Sequence, residues 1–251
     1  GNNSIQIQDL TLDFNKVGRG TITALDDVHF TGQDNRFTRV KFIGNAGNTC
    51  LSFGTIANGL HNIVDACQFI MNGSASATAL FGGGDLYVSN CYFNNTVTML
   101  RMITAGFNAY ICNNLFELGA GGTQVIFSNG GNDMNIANNT FQLLAGTWTN
   151  AIKAFGPTRY TIVGNTASST AAGDINCSGT SGVIACNAGF AAYIGGSQAA
   201  NDTQTFNGIA VSTTAPSAGQ ALTATGPTAA AWQTPVSGYM TVVVPAPTLN
   251  A

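Results

Sequence analysis

The stretch from Asp85 to Leu143 says one phrase three times: DLYVSNCYFNN from Asp85, NAYICNNLFEL from Asn108 and DMNIANNTFQL from Asp133. Each copy has an aliphatic residue, then small or polar residues, then Phe five places on. The pairs are Val88 and Phe93, Ile111 and Phe116, Ile136 and Phe141. Working outward, Val64 leads to Phe69, Phe37 to Phe42 and Ile7 to Leu12, while Ile162 leads to Ala167, a worn copy. The leading positions are spaced by 30, 27, 24, 23, 25 and 26 residues. A period of this size signals stacked units rather than an ordinary globular topology.

The content of each unit predicts strands. Apolar and polar residues alternate through the phrase, and a further strand-like run precedes each copy, as in TCLSF from Thr49 and TQVIF from Thr123. Asn113-Asn114 and Asn138-Asn139 fall between two short apolar runs. Asn tolerates the left-handed backbone, so the pair predicts a sharp turn between strands. Gly82 to Gly84 and Asn129 to Asn132 read as loops. Three short strands per unit make one coil of a parallel β-solenoid, an all-β fold. The five residues Phe42, Phe69, Phe93, Phe116 and Phe141 are expected to form one interior stack.

The pattern of an aliphatic residue, Asn-Asn and an apolar residue, as in IANNTF from Ile136, resembles the right-handed parallel β-helix family. The resemblance covers roughly residues 2–195. It implies a right-handed, single-stranded solenoid, a fold carried by pectin-degrading enzymes, phage tailspikes and adhesins alike. The division expected is a β-helix domain over 1–196, a linker over 197–210 and a small β-rich trimerisation and capping segment over 211–251. That last segment resembles one in phage tail fibres and other virion appendages, with the pattern PSAGQxLTAT followed by AAxW. It matches at Pro216 to Gln220, Leu222 to Thr225 and Ala230 to Trp232. The resemblance implies a homotrimer on a virion, in contact with other virion proteins and with host surface polysaccharide. The irregular segment 168–196 or the C-terminal part is expected to cap the solenoid, because an open sheet edge invites aggregation.

Composition narrows the function classes. Charged residues make up 8% of the 251 and the formal net charge is −3, which argues against nucleic acid as a partner. No run of 18 apolar residues exists, so no membrane span is expected. The sequence opens on Gly1 without a signal pattern, and the expectation is a processed chain or part of a longer one. None of the six cysteines forms a CxxC pair, so neither zinc nor any other metal or cofactor is expected. Cys67 and Cys91 take the same place in neighbouring units and are expected to stack as small buried hydrophobes. Strand spacing of about 4.8 Å permits a disulfide between adjacent coils. Free thiols are the expectation, since an interior stack already explains both residues.

The outer faces carry the candidate chemistry. Three residues before each leading position stand Asp34, His61, Asp85, Asn108, Asp133 and Arg159. Asp85 and Asp133 would lie two coils apart, about 9.6 Å, near the upper limit for an inverting glycosidase pair. The competing reading, preferred here, is that this column caps the backbone after Gly-rich turns. No catalytic residue is assigned. Tyr87 and Tyr110 fall in one outward column and Tyr92 follows the turn, so these three are the candidate carbohydrate-binding residues. In the first strand of each coil, Leu51, Leu100, Val125 and Ile152 are expected inside. Strict alternation then sends Phe81, Ile103, Ile126 and Phe155 outward, beside Arg101 and Lys153. Those four apolar residues, with Trp232, are the candidate oligomer interface.

Overall fold

The chain winds in repeated coils of up to three short strands, and each strand lies parallel to its counterpart in the next coil. The structure is a computed structural model. It describes residues 4–14, 27–30, 34–44, 49–54, 61–72, 78–178, 181–191 and 193–195 of one unit. Of a second unit it describes residues 204–206, 209–211, 221–226 and 229–233. The first unit spans Gly1–Gln198 and the second Ala199–Ala251.

The first unit is an all-β, right-handed parallel β-helix. Eight strands from Gln6–Gln8 to Ser181–Ala185 form the first sheet. Seven strands from Thr11–Asp13 to Thr166–Ala167 form the second. Eight strands from Val28–His29 to Tyr193–Gly195 form the third. Parallel strands need long connections, and here the rest of the coil supplies them. In the second unit, strands Gln204–Phe206, Ile209–Val211, Ala221–Gly226 and Ala229–Gln233 make a separate four-stranded sheet.

The repeated phrase occupies the first two sheets. Its leading residues Phe37, Val64, Val88, Ile111, Ile136 and Ile162 pair along the first sheet and are buried. Its phenylalanines Phe42, Phe69, Phe93, Phe116 and Phe141 are all fully buried, as expected. Successive ring centroids lie 4.7, 4.7, 5.0 and 5.0 Å apart, with interplanar angles of 16° or less. The ring spacing follows the strand spacing, because one ring is delivered per coil. The column ends on Phe190, which meets Phe141 edge-on at 5.4 Å.

One left-handed residue joins the first sheet to the second in every coil. Asp9, Arg39, Ala66, Asn90, Asn113, Asn138, Gly164 and Cys186 all have φ between 53° and 66°. The first Asn of each Asn-Asn pair takes this conformation, which Asn tolerates better than most residues. The second Asn turns inward. Asn114, Asn139 and Asn165 are buried, and each backbone N–H donates to the side chain one coil on. Asn114 N–H donates to Asn139 Oδ1 at 3.0 Å, Asn139 to Asn165 at 3.0 Å, and Asn165 to Asn187 at 2.9 Å. Upstream the same column holds Cys91 and Cys67. Cys91 N–H donates to Asn114 Oδ1 at 2.9 Å, and Cys67 N–H points at Cys91 Sγ at 3.4 Å. Both thiols are free and buried, as expected. They are more than filler, because sulfur replaces the amide oxygen as a weak acceptor.

The third sheet departs from simple alternation. Leu51, Leu80, Ile103, Ile126, Ile152 and Ile175 form its continuous inner column. Ile103 and Ile126 are fully buried, so their expected outward orientation is overturned, and with it their place at an oligomer interface. Leu100, expected inside, is 36% exposed. The cause is an irregularity in the pairing of these strands. Paired positions jump from Arg101–Gln124 to Ile103–Ile126, passing over Met102 and Val125. Both members of each pair of neighbours, Met102 with Ile103 and Val125 with Ile126, are therefore buried. The two-residue period is broken at that point. Phe81 stays half-buried and Phe155 is 45% exposed, in line with the outward positions expected of them.

Candidate functional site

The polar column at the start of the first sheet is a chain of side-chain contacts from coil to coil. Asp34 and His61 sit at φ of 58° and 65°, with His61 Nδ1 3.3 Å from Asp34 Oδ1. Asn108 Nδ2 donates to Asp85 Oδ1 at 2.9 Å, while Asn108 Oδ1 accepts from the Asp133 N–H at 2.9 Å. The Asn108 amide thus occupies the gap between the two aspartates that a glycosidic bond would need to enter. Arg159 grips Asp133 with two hydrogen bonds of 2.6 and 2.8 Å. The hydrogen bond from Arg159 holds the Asp133 carboxyl below the usual carboxylate range. A general acid needs the opposite shift.

Other carboxylates are spent the same way. Asp9 is clamped by Arg39 at 2.6 and 2.8 Å. Asp65 Oδ1 accepts from Ser89 Oγ at 2.8 Å and Asn90 Nδ2 at 2.9 Å. Glu117 Oε2 accepts from the Tyr92 hydroxyl and from Asn94 Nδ2 at 3.3 Å. Each of these contacts joins residues of successive coils.

Tyr87 and Tyr110 are brought together. They pair in the first sheet, and their rings stack at 4.7 Å with 2° between planes. The other face of Tyr87 looks toward the His61 ring at 6.2 Å. Burial pushes the Tyr87 hydroxyl up from its ordinary value, and the Tyr110 and Asp85 charges add to this. The two rings turn faces on each other, so they offer a neighbouring glycan their edges and two hydroxyls rather than a flat platform. Tyr92 belongs to the second sheet, past the left-handed corner, with its hydroxyl engaged by Glu117. It does not join the other two.

On the third sheet, Phe81, Thr104, Phe127 and Lys153 pair in one column beside the inner one, with Phe81 and Lys153 half-buried and Thr104 and Phe127 buried. Phe127 was missed by alternation. Aligning the strands on Leu51, Leu80, Ile103, Ile126 and Ile152 finds it, since one residue further on in the last four strands lies this column. A shallow groove of about 480 Å³ opens at the start of the same strands, floored by Gly121 and Gly122 and edged by Leu100, Thr123 and Thr147. Gly122 cannot carry a side chain, because a Cβ there would lie 2.4 Å from the Trp148 ring. The Trp232 side chain lies outside the described residues.

Among the described residues no group of three or more His, Cys, Asp or Glu side chains gathers as a metal site. No helix among them is long and apolar enough to cross a membrane. Comparison with protein-family models, with curated proteins and with solved structures finds no match.

Proposed function

We propose that the chain is a structural, receptor-facing part of a virus particle, such as a phage tail fibre, tailspike or head fibre, that binds host surface glycan without cleaving it. One observation carries this reading: Asp9, Asp34, Asp65, Asp85, Glu117 and Asp133 each contact a polar side chain on a neighbouring coil. Carboxylates committed to holding coils together are poorly placed to act as acid and base across one bond. The edges and hydroxyls of Tyr87 and Tyr110 supply polar contacts for glycan on the first sheet. The resemblance of the segment from Val211 to Pro235 to virion appendages supports the virion as location, with other virion proteins as neighbours.

Purified full-length protein is expected to leave host surface polysaccharide at its original length, checked by size-exclusion chromatography of the sugar. Oligosaccharide release that stops in Asp85→Asn or Asp133→Asn would establish a polysaccharide-degrading enzyme instead.

The same reading makes the chain a homotrimer, wound together through its C-terminal segment with Trp232 between chains. Closed threefold symmetry satisfies every copy equally. Light scattering of the full-length protein is expected to give three times the mass of the chain. A protein that stays monomeric at high concentration refutes the trimer.

A further inference from the structure

We propose that the outer face of the third sheet, around Arg101, Phe127, Lys153 and Phe155, binds an acidic saccharide, a run of sugar rings bearing carboxylates. The class of ligand rests on the glycan-binding reading above, but the face is a different one. Three consecutive coils build it. Arg101 lies on strand Met99–Ala105, Phe127 on Gly122–Asn129, and Lys153 and Phe155 on Trp148–Phe155. The Arg101 guanidinium carbon sits 3.8 Å from the centre of the Phe127 ring. Arg101 Nε donates to Gln124 Oε1 at 3.0 Å, which fixes the plane of the group. Lys153 Nζ stands 4.8 Å from the centre of Phe155. The two rings meet edge to face at 6.1 Å.

Two properties together point to an anionic sugar. First, neither cation has a carboxylate partner among the described residues, whereas Arg39 and Arg159 are both clamped by aspartates. With Nε held by Gln124, the terminal nitrogens of Arg101 have no hydrogen-bond partner among the described residues and can take a carboxylate. Second, Phe155 keeps 45% of its surface exposed. That leaves ring surface to pack on the apolar face of a sugar, which the mutually stacked tyrosines do not. Arg101 and Lys153 stand two coils apart, about 9.6 Å along the axis, a span suited to an oligosaccharide rather than to one small anion. A second copy of this chain is a poor source of the missing charge. Six of its carboxylates are already engaged by neighbouring coils of the same chain, and burying unpaired cations is costly.

The test is calorimetric titration of the full-length protein with a β-linked glucuronic acid oligomer and with the same oligomer after reduction of its carboxylates to alcohols. The acidic oligomer is expected to bind, more weakly as salt rises, and the reduced one to bind at least about tenfold less tightly. Arg101→Gln and Lys153→Gln should each cost about tenfold toward the acidic oligomer and little toward the reduced one. Lys153→Gln stands in if Arg101→Gln loosens the sheet. Phe155→Ala should weaken both, and the double variant Tyr87→Phe/Tyr110→Phe reports separately on the first-sheet contacts. Equal affinity for the two oligomers, no binding of the acidic one, or full affinity in both charge variants overturns the site. So does conversion of an assembled protein to monomers by Phe155→Ala, which would give this face to subunit contact. If only the reduced oligomer binds, and the tyrosine variant abolishes that, the site falls while the glycan-binding reading stands.

Discussion

Phe116→Ala is expected to lower the unfolding free energy by about 3–5 kcal/mol, read from denaturant titration of the full-length protein. The ring is fully buried and lies 5.0 Å from both Phe93 and Phe141. In many cores a truncated side chain is partly replaced by movement of its neighbours. Here the neighbours cannot close in along the axis, because main-chain hydrogen bonds hold each strand at its spacing. The hole therefore persists, and its cost adds to the lost transfer of the ring from water. Phe116→Leu keeps most of the apolar volume and should cost clearly less. A loss under about 1 kcal/mol for Phe116→Ala would show that the stack contributes little to stability.

Asn139→Ala should be similarly damaging, by about 3 kcal/mol or more, although it removes no large apolar surface. The Asn139 side chain is fully buried and engaged on three sides. Its Oδ1 accepts from Asn114 N–H and from Asn114 Nδ2, both at 3.0 Å. Its Nδ2 donates to the Ile111 carbonyl at 2.8 Å and to Asn165 Oδ1 at 2.9 Å. Alanine strands all of these partners away from water, each at a cost of its own. Asn139→Cys should retain part of the stability, since Cys67 and Cys91 already serve in this column. Unfolding midpoints for the pair decide the point: equal losses for Ala and Cys would mean that sulfur is no acceptor here.

The parts of the fold legible in the sequence were those with a strict local period. From the leading aliphatic to the phenylalanine the count is always five, so Phe42 through Phe141 and the Asn-Asn corner could be placed by spacing alone. The inward Asn column was half visible. Cys67, Cys91, Asn114 and Asn139 all stand three residues after a leading residue, but only their shared hydrogen bonds show that thiol and amide do one job. The third sheet differs from its expected pattern because its strands bury two neighbouring residues in a row. Alternation carries across a flat strand and fails where Met102 and Ile103 both turn inside. For the same reason Phe127 and its contact with Arg101 could not be seen, and the candidate site on that face had to come from the coordinates. The pairing of Tyr87 with Tyr110 was legible, since both precede a leading residue by one. That their ring faces close on each other was not.

The left-handed corner between the first two sheets has the same length in every coil, whereas the spacing of the coils in sequence varies from 22 to 30 residues. That variation is therefore taken up outside this corner. Height along the solenoid is then measured in coils and not in residues. A loop outside this corner can lengthen or shorten while the outward side chains above and below it keep their elevation. A residue added between Val88 and Phe93 would instead break the rung itself. The β-helix thus works like a ruler with fixed graduations, along which loops can be exchanged without changing the distance between any two marks.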